Sequence, residues 1–554
     1  MRWLISLAAY LLERVREGEV IEPYSMDKSV PEERCLFCDV DLTGSPYFGR
    51  YRVCGNCGFH HYISCWRRIG LITDRGSFRE LDIRPSFPFP LPSPYREILR
   101  KTREETSLYE SVVAGVGLVN GIKTVIIATD FSFLGGSIGH IAGEVIGRAF
   151  EYATRKKLPV IALISSSGGR AYEGALSLLQ SARISFYISR FSEKGLPYIS
   201  VLGNPSTGEV FSSFANMADI KIAEPGALLG VYPKKLMPKA REESHSAEYH
   251  LKRGLIDSIV ERERLKDTLS KLLELLTPGF SISMEGRMER EFPKGTGYTI
   301  ELARIPQRPS SSEYIFRMTR DFFEIRGDGM GGEDEGVICG IGEIGTQRFV
   351  IIGHEKRRIK PEGFRKAQRA MKLAQKFGLP LITLVDTPGP SIEPEDEGKG
   401  LGKAIADTIT LMTSLRVPII SVIIGEGGGE GALPFIIADK VLIFENAYLS
   451  PFPPERLSYL LGETYLSQET IRELKISPPE LLEIGLVDEI IPEPRGGTQM
   501  NPEEASRILR REILRNLIFL KTISKDKLPS MRGKKFRDIG RRGRIRDIIL
   551  RFKK

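Results

Sequence analysis

Four cysteines near the start of the sequence have the spacing of a metal site. Cys35 and Cys38 form one Cys-x2-Cys pair, and Cys54 and Cys57 form a second pair after fifteen intervening residues. Two such pairs place four thiolates around Zn²⁺ in a tetrahedron, which leaves no open coordination position. We therefore predict a structural zinc ribbon, with four free buried thiols as the alternative. Cys65 and Cys339 have no partner at this spacing and are predicted to lie in the core.

The surroundings of the ribbon and the end of the chain are basic. Trp66, Arg67 and Arg68 follow the ribbon, and residues 521–554 carry 14 Lys and Arg against three acidic residues. The net charge of +9 is therefore concentrated at the C-terminus. We interpret this segment as a solvated or subunit-docking tail, and contact with nucleic acid stays open as the alternative.

Three glycine-rich segments favour chemistry by the backbone. They are Phe131–Gly139, Ser165–Glu173 and Gly425–Leu433. Each lies where a predicted strand turns into a helix. Glycine lets the backbone approach a ligand closely, and the first N–H groups of a helix have no partner within the helix. Such donors bind a phosphate or an oxyanion that develops on a carbonyl. Tight packing turns are the alternative interpretation.

Other catalytic patterns are missing from the sequence. No Gly-Lys-Ser/Thr follows the glycine-rich segments, and neither a dinucleotide fingerprint nor Gly-x-Ser-x-Gly occurs. The six histidines are scattered and indicate no histidine base. His140, directly after the first glycine-rich segment, is the one considered for direct contact with a substrate.

The elements that carry these turns occur twice in the same order. The matched segments are Lys157–Gly169 with Gly378–Pro390, Gly195–Gly203 with Arg416–Ile424, Met217–Pro225 with Ile437–Glu445, and Arg253–Val260 with Ile484–Ile491. The apolar runs are typical of buried parallel strands, and the helix between the first two is amphipathic in both copies. The sequence therefore predicts two α/β domains of one fold, joined near residues 275–300.

Composition agrees with a globular protein. Of 554 residues, 41% are hydrophobic and 27% are charged, which argues against disordered, collagen-like and membrane proteins. The longest apolar run, Trp3–Leu12, is too short to span a bilayer and is predicted to be an amphipathic helix rather than a signal peptide. We expect a cytoplasmic protein.

The predicted organisation has six parts. They are an N-terminal helix and linker (1–30), the ribbon (31–65), a first α/β domain (66–275), a linker (276–300), a second α/β domain (301–520) and the basic tail (521–554).

At these residues the sequence resembles the carboxyltransferase of bacterial acetyl-CoA carboxylase, with a β-subunit-like half followed by an α-subunit-like half. The β-like features besides the ribbon are Gly76–Leu81, Phe133–Gly139, Ser167–Gly169, Gly195–Leu202 and Ile222–Pro225. The α-like features are Ala303–Pro309, Pro361–Ala367, Asp386–Gly389, Gly425–Gly428 and Ile491–Gly497. The resemblance covers roughly residues 30–515 in family order.

The resemblance implies the fold and the reaction. The fold class would be α/β, with two crotonase-like (ClpP/crotonase) ββα superhelix domains after the four-cysteine zinc ribbon. The activity would be transfer of CO₂ from carboxybiotin to acetyl-CoA to give malonyl-CoA. Biotin would arrive on a biotin carboxyl carrier protein and be carboxylated by a separate biotin carboxylase. A head-to-tail homodimer would place the β-like half of one chain against the α-like half of another.

The resemblance also implies the site residues. Gly168 and Gly169 would form the oxyanion hole for the thioester, and the turn of Gly428, Gly429, Glu430 and Gly431 would form that for biotin. Two backbone oxyanion holes suffice, because the biotin ureido anion takes the methyl proton itself. Substrate-binding residues would be Gly135, Gly136, Ser137, Arg170 and Gly389.

The sequence departs from the family pattern near these residues. Glu430 replaces a glycine, and Tyr232–Leu236, Leu449–Pro453 and the short loop before Pro361 also differ. Three alternatives therefore stay open. They are a carboxyltransferase for another acyl-CoA such as propionyl-CoA, another crotonase-fold reaction such as decarboxylation or hydration, and a non-catalytic homologue that binds nucleic acid.

Overall fold

The structure, a computed structural model, describes residues 34–87, 93–231, 245–277 and 298–539, except positions 463, 465 and 467. The chain divides into two compact units, Met1–Glu274 and Leu275–Lys554. The helix predicted at Trp3–Leu12, the segment Tyr232–Leu236 and the last residues of the basic tail lie outside the described residues. Within the described part of the chain, no helix is long and apolar enough to cross a membrane.

The first unit combines short N-terminal helices with an eight-stranded sheet. Its elements are α1 (Pro46–Tyr51), α2 (Cys65–Ile72), β1 (Arg79–Glu80), α3 (Ser93–Thr106), β2 (Val112–Val119), β3 (Ile122–Thr129), α4 (His140–Lys156), β4 (Val160–Ser166), α5 (Ala175–Ser192), β5 (Tyr198–Thr207), β6 (Ile220–Ala223), β7 (Leu229–Gly230), α6 (Ala247–Lys252), β8 (Ser258–Ile259) and α7 (Arg262–Leu275). Short turns of tighter or wider helix lie at Leu134–Gly136, Ala171–Glu173 and Phe211–Ala215.

The second unit repeats this order and adds helices at its C-terminal end. Its elements are α8 (Tyr298–Ala303), α9 (Ser311–Met318), β9 (Phe322–Glu324), β10 (Val337–Ile344), β11 (Gln347–His354), α10 (Pro361–Phe377), β12 (Leu381–Thr387), α11 (Pro394–Gly398), α12 (Leu401–Ser414), β13 (Ile419–Gly428), α13 (Gly429–Ala432), β14 (Lys440–Phe444), β15 (Tyr448–Ser450), α14 (Pro454–Leu461), α15 (Gln468–Glu473), α16 (Pro478–Glu483), β16 (Glu489–Ile491), α17 (Pro502–Lys521) and α18 (Leu528–Asp538). A further short turn lies at Leu433–Ile436.

The two sheets have the same topology. The first has the strand order β1-β2-β3-β4-β5-β6-β8, with β7 paired to β5. The second has the order β9-β10-β11-β12-β13-β14-β16, with β15 paired to β13. Both carry the same register shift, between Ile164 and Ser166 on β4 and between Val385 and Thr387 on β12. The prediction of two α/β domains of one fold is confirmed.

Apolar side chains on both faces of the central strands explain this fold. Every residue of β4 and of β12 is buried, as expected for parallel strands covered by helices on both sides. In the first unit, the Phe150 ring on α4 packs edge-on against Phe191 of α5 and Tyr198 of β5, with ring centroids 5.4 and 5.1 Å apart. The core therefore packs α4 and α5 against the sheet in which β4 ends at the glycine-rich segment Ser165–Glu173.

Buried ionic contacts attach the cysteine ribbon to the first unit. Arg262, at the start of α7, donates through Nη1 to the carbonyl oxygens of Tyr51 and His61, at 3.0 and 2.9 Å. Its Nη2 binds Oε2 of buried Glu224 at 2.7 Å. Burial opposes ionisation of this carboxyl, but Arg262 and the neighbouring donors hold the pKa of Glu224 well below its usual range.

Helix α18 packs on the second unit, although it belongs to the segment that composition describes as a basic tail. Arg532 is buried, and its Nη2 binds Asp439 Oδ2 at 3.0 Å. Its Nη1 donates to the carbonyl oxygens of Met412 and Leu415 at 2.6 and 3.1 Å. The net charge of the segment therefore overstates its exposed charge, because Arg532 is buried and paired with Asp439.

We expect Arg532→Met to destabilise the second unit by about 3–5 kcal/mol, because it leaves the Asp439 carboxylate buried without its cation. Hydrogen exchange in peptides that cover α12 and α18, followed in increasing urea, measures this loss. Lys534→Met, at an exposed position of the same helix, is the matched control and should change the free energy by about 0.5 kcal/mol or less. Equal effects of the two variants would contradict the packing of α18.

Candidate active site and metal centre

The four ribbon cysteines lie close enough together to hold one metal ion. The Sγ atoms of Cys35 and Cys57 are 3.6 Å apart, and those of Cys38 and Cys54 are 3.7 Å apart. All four lie within 4.8 Å of one another. A tetrahedron with Zn–S bonds of about 2.3 Å has edges of about 3.8 Å, so the sulfur positions fit this geometry. Cys65 and Cys339 are buried elsewhere, as predicted for core residues.

The turn after β4 presents a free backbone donor. The Gly168 carbonyl accepts the Ile138 N–H at 2.8 Å, and the Arg170 N–H donates back to the Ile138 carbonyl at 3.1 Å. In a parallel bridge of this kind, the residue between the two bonded positions directs its own N–H to the other side. The Gly169 N–H accordingly has no hydrogen-bond partner among the residues that the structure describes. It is available to an acceptor on a ligand.

The loop Phe133–Gly139 supports this turn from beneath. The Ser167 N–H donates to the Gly135 carbonyl at 2.9 Å. Gly135 and Gly136 both have left-handed backbone, with φ of +68° and +63°. A Cβ on Gly136 would overlap the Ser165 carbonyl oxygen. Glycine is therefore required here, because the loop packs backbone against backbone.

Arg170 lies behind the turn rather than in an open cleft. Its side chain is 1% exposed and binds Glu110 through Nη1 at 3.0 Å and Nη2 at 2.5 Å. Nη2 also donates to the Ser137 carbonyl at 2.6 Å, and Nε donates to the Ser137 hydroxyl at 3.3 Å. The guanidinium thus joins the two glycine-rich segments of the first unit. His140, the other candidate there, donates its backbone N–H to Glu173 at 2.5 Å.

The turn after β5 brings a carboxylate to Gly169. A Cβ on Gly208 would lie 2.8 Å from the Gly168 Cα, so the two turns touch through their backbones. The next residue is Glu209, and a Cβ on Gly169 would lie 2.6 Å from its Oε2 atom and 2.8 Å from the Ser177 hydroxyl. The cleft beside Gly169 has Ile138, Ile184 and Phe214 among its apolar walls and Ser177 and Glu209 among its polar ones.

The second unit builds the same edge with different residues. A Cβ on Gly428 would overlap the Pro388 backbone, and one on Gly431 would lie 2.5 Å from the Gly389 carbonyl carbon. Gly389 has φ of +134°, and its N–H donates to the Thr387 hydroxyl at 3.1 Å. Pro390 takes the place of Gly169 in an equivalent bridge to Ile359, so this position offers no N–H. Donors must come from the turn at 428–431, where α13 begins and Glu430 is exposed.

Charged side chains of the second half hold β13 in place. Glu426 accepts the Tyr448 hydroxyl at 2.7 Å and Arg304 Nε at 3.3 Å. Arg308 pairs with buried Glu493 at 2.7 Å and donates to the Ile424 carbonyl at 2.9 Å. These residues fix the strand that ends at Gly428.

Asp386 is a buried carboxyl near the end of β12, just before the turn that contains Gly389. Its Oδ1 accepts the Glu426 N–H at 2.9 Å. Burial raises the pKa of Asp386 to about 7, although Lys356 and Arg308 oppose the shift. No sequence motif marks the side chain of Asp386 or of Glu209 as a site residue. The repeat held one signal for Glu209. When the match of Gly195–Gly203 with Arg416–Ile424 is extended by six residues, Glu209 pairs with Glu430 of the predicted biotin turn.

Comparisons with known proteins agree with this architecture. Residues 64–275 match the family described as "Carboxyl transferase domain", and residues 297–540 match "Acetyl co-enzyme A carboxylase carboxyltransferase-like". The transcarboxylase 12S structure with methylmalonyl-CoA bound covers 83% of this chain and 90% of its own, with a TM-score of 0.66 at 19% identity, which shows the fold. The two matched families and the fold thus define a carboxyltransferase built from two crotonase-like domains.

Full-length relatives specify the family. The acetyl-CoA carboxylase carboxyl transferase subunits beta/alpha of Clostridium tetani are 35% identical over 92% of both chains. Those of Saccharopolyspora erythraea are 34% identical over 88% of this chain and 91% of theirs. The chain belongs to this family of fused β/α carboxyl transferase subunits. The comparisons do not favour the alternative of a nucleic-acid-binding homologue.

We expect the stability contributed by Asp386 to decline as the pH rises. Between the unfolded pKa of about 4 and the folded pKa of about 7, the folded state holds a proton that the unfolded state has lost. Asp386→Asn carries no such proton. As the pH rises through this window, the free energy of unfolding of Asp386→Asn should therefore increase relative to that of the unmodified protein, by up to about 1.4 kcal/mol per pH unit.

Urea unfolding between about pH 5 and pH 8 measures the effect. Asp407→Asn, at a more exposed position on α12, should give a pH profile parallel to that of the unmodified protein. A constant difference between Asp386→Asn and the unmodified protein across the range would show that Asp386 is ionised throughout.

Proposed function

We propose that the protein transfers CO₂ from carboxybiotin to acetyl-CoA, giving malonyl-CoA, and that backbone donors stabilise both oxyanions. The observation that carries the proposal is the unpartnered Gly169 N–H beside a cleft, in a chain that matches its family over both halves. Carboxybiotin supplies CO₂ and a ureido nitrogen on which the methyl proton of acetyl-CoA ends. The Gly168–Gly169 turn serves the thioester oxygen, and the turn at 428–431 serves the ureido oxygen. Each donor contributes about 10²–10³-fold in rate.

The other site residues act through these turns. Gly135, Gly136 and Ser137 support the thioester turn, and Arg170 is a positioning residue that ties it to Glu110. In the second unit, the backbone of Gly389 lies against Gly431 of the turn at 428–431. Their packing supports this assignment, because each contacts a turn whose N–H groups face the proposed substrate positions.

Partners follow from the same reaction. A biotin carboxyl carrier protein brings the carboxylated cofactor, and a separate biotin carboxylase recharges it. A head-to-tail homodimer of fused chains supplies two sites. Leu178, Leu179 and Phe186 on α5, which are 59–74% exposed, support an interface on this helix. Sedimentation should show a dimer, and a strict monomer would count against this assembly.

The metal of the ribbon is proposed to be a structural zinc ion, one per chain. We expect Cys38→Ser to lose the ion and to release the ribbon carbonyls that Arg262 binds, because three thiolates hold zinc much less tightly than four. Metal analysis by mass spectrometry, with hydrogen exchange in residues 34–61, measures both effects. Cys65→Ala, outside the cluster, is the control and should keep one zinc per chain. Full zinc content in Cys38→Ser would contradict the four-cysteine site.

The carboxyltransferase proposal is tested by the reverse reaction of malonyl-CoA with biocytin, followed by release of acetyl-CoA. We expect Gly169→Ala to lower kcat by at least about 10²-fold, because the new methyl group and the Glu209 carboxylate that it displaces crowd the N–H donor. The fold should survive, since the atoms it meets are the ends of the Glu209 and Ser177 side chains.

The control is Gly70→Ala, in the exposed part of α2, where a Cβ meets no other atom within 4 Å. Its kcat should equal that of the unmodified protein. Turnover with methylmalonyl-CoA but not with malonyl-CoA would show that the substrate is another acyl-CoA. If folded and zinc-loaded protein turned over neither substrate, the carboxyltransferase proposal would be overturned.

A further inference from the structure

Glu173 is a buried carboxylate in the segment that follows the turn after β4. It lies four residues beyond Gly169, and its side chain is 1% exposed. Its Oε2 accepts the His140 N–H at 2.5 Å, and its Oε1 accepts the Tyr95 hydroxyl at 2.5 Å. The Nη1 atom of Arg170 lies 3.5 Å from the same Oε1. No step of the proposed reaction involves this carboxylate, so its burial and its three contacts point to another role.

The contact with His140 extends a backbone bridge beyond the point where the bridge ends. The Ile138 N–H donates to the Gly168 carbonyl at 2.8 Å, and the Arg170 N–H donates to the Ile138 carbonyl at 3.1 Å. In a parallel ladder the next N–H on this side belongs to the residue two positions further, which is His140. This N–H meets the Glu173 carboxylate instead of a backbone carbonyl. The side chain therefore joins residues 138–140 to residues 168–173 at a third point.

The start of α4 is a favourable place for this carboxylate. His140 is the first residue of α4, where the N–H groups have no partner within the helix and the helix dipole is positive. A Cβ on Gly139 would overlap the Glu173 carboxylate, so the glycine before the helix permits the close approach. Arg170 is shared between Glu110 and Glu173, and the helix terminus adds positive potential for the second carboxylate.

The second unit has proline at both corresponding positions. In its bridge between Ile359 and Pro390, the residue two positions beyond Ile359 is Pro361, which begins α10. The residue four positions beyond Pro390 is Pro394. Pro361 has no N–H to donate, and Pro394 has no carboxylate to accept one. The contact is therefore specific to the first unit, whose bridge position keeps an N–H.

We propose that Glu173 is a positioning residue for carboxyl transfer, and that its carboxylate holds the Gly169 N–H in the direction that the thioester oxyanion requires. It does so by fixing the turn after β4 to the start of α4. An N–H stabilises an oxyanion only when it is well aligned with the oxygen, so a small rotation of the turn lowers the rate more than it lowers substrate affinity. This proposal rests on the proposed function for the identity of the reaction.

The test is Glu173→Gln in the full chain, assayed by transfer from malonyl-CoA to biocytin. The amide keeps the size of the side chain but directs an NH₂ group at one of the two donors, His140 or Tyr95. We expect kcat to fall by about 10–10²-fold while the KM for malonyl-CoA stays within about twofold. The fold should survive, because Arg170 keeps its two contacts with Glu110. An unchanged melting temperature and zinc content check this.

Tyr95→Phe is a second variant that acts on the same carboxylate. It removes the hydroxyl that donates to Glu173 and leaves the bond from His140 in place. We expect a smaller decrease in kcat, and the double variant should be no slower than Glu173→Gln alone, because both changes act through one group. Glu151→Gln, on the exposed face of α4, is the matched control and should keep the unmodified kcat. Decreases that multiply in the double variant would overturn the proposed route.

Hydrogen exchange in residues 134–142 and 165–175 separates this proposal from that of carboxyl transfer, because it needs no turnover. We expect faster exchange of the bridge N–H groups of Ile138 and Arg170 in Glu173→Gln, and equal exchange would overturn the positioning role. Turnover by the unmodified protein with an unchanged kcat in Glu173→Gln, or with a change in KM alone, would overturn that role and leave carboxyl transfer intact. Unmodified protein without turnover would overturn carboxyl transfer, and the exchange rates would then decide whether Glu173 holds the turn.

Discussion

Direct contact between two backbone turns is the constraint on which each candidate site depends. In a parallel sheet, neighbouring strands end at the same edge, so the turns that follow them compete for the same space. In the first unit a Cβ on Gly208 would lie 2.8 Å from the Gly168 Cα, and in the second unit a Cβ on Gly428 or Gly431 would overlap the backbone of Pro388 or Gly389, so glycine resolves this competition. The shared register shift, before Ser166 and before Thr387, brings the strand ends to this contact. Because glycine has no side chain, the backbone N–H groups are the functional groups that these positions present.

The duplicated scaffold has diverged at the turns that carry the proposed donors. Gly169 keeps its N–H, whereas Pro390 at the equivalent position has none. Ser165 in the first unit corresponds to Asp386 in the second, a carboxyl whose pKa burial raises to about 7. The topology is unchanged by these differences, since the strands pair in the same order in both sheets. One fold therefore supplies two edges with different donors, which suits the two separate oxyanions of the proposed reaction.

Much of this arrangement could be predicted from sequence because it is local or periodic. The two Cys-x2-Cys pairs specify a ribbon, and repeated apolar runs specify parallel strands. Arg170 shows the limit. A charged residue after two glycines suggests contact with a ligand, but its partner Glu110 lies 60 residues away, and only the fold brings them together. Arg532 shows the same limit for composition, because a basic segment does not reveal that Asp439 neutralises one of its members.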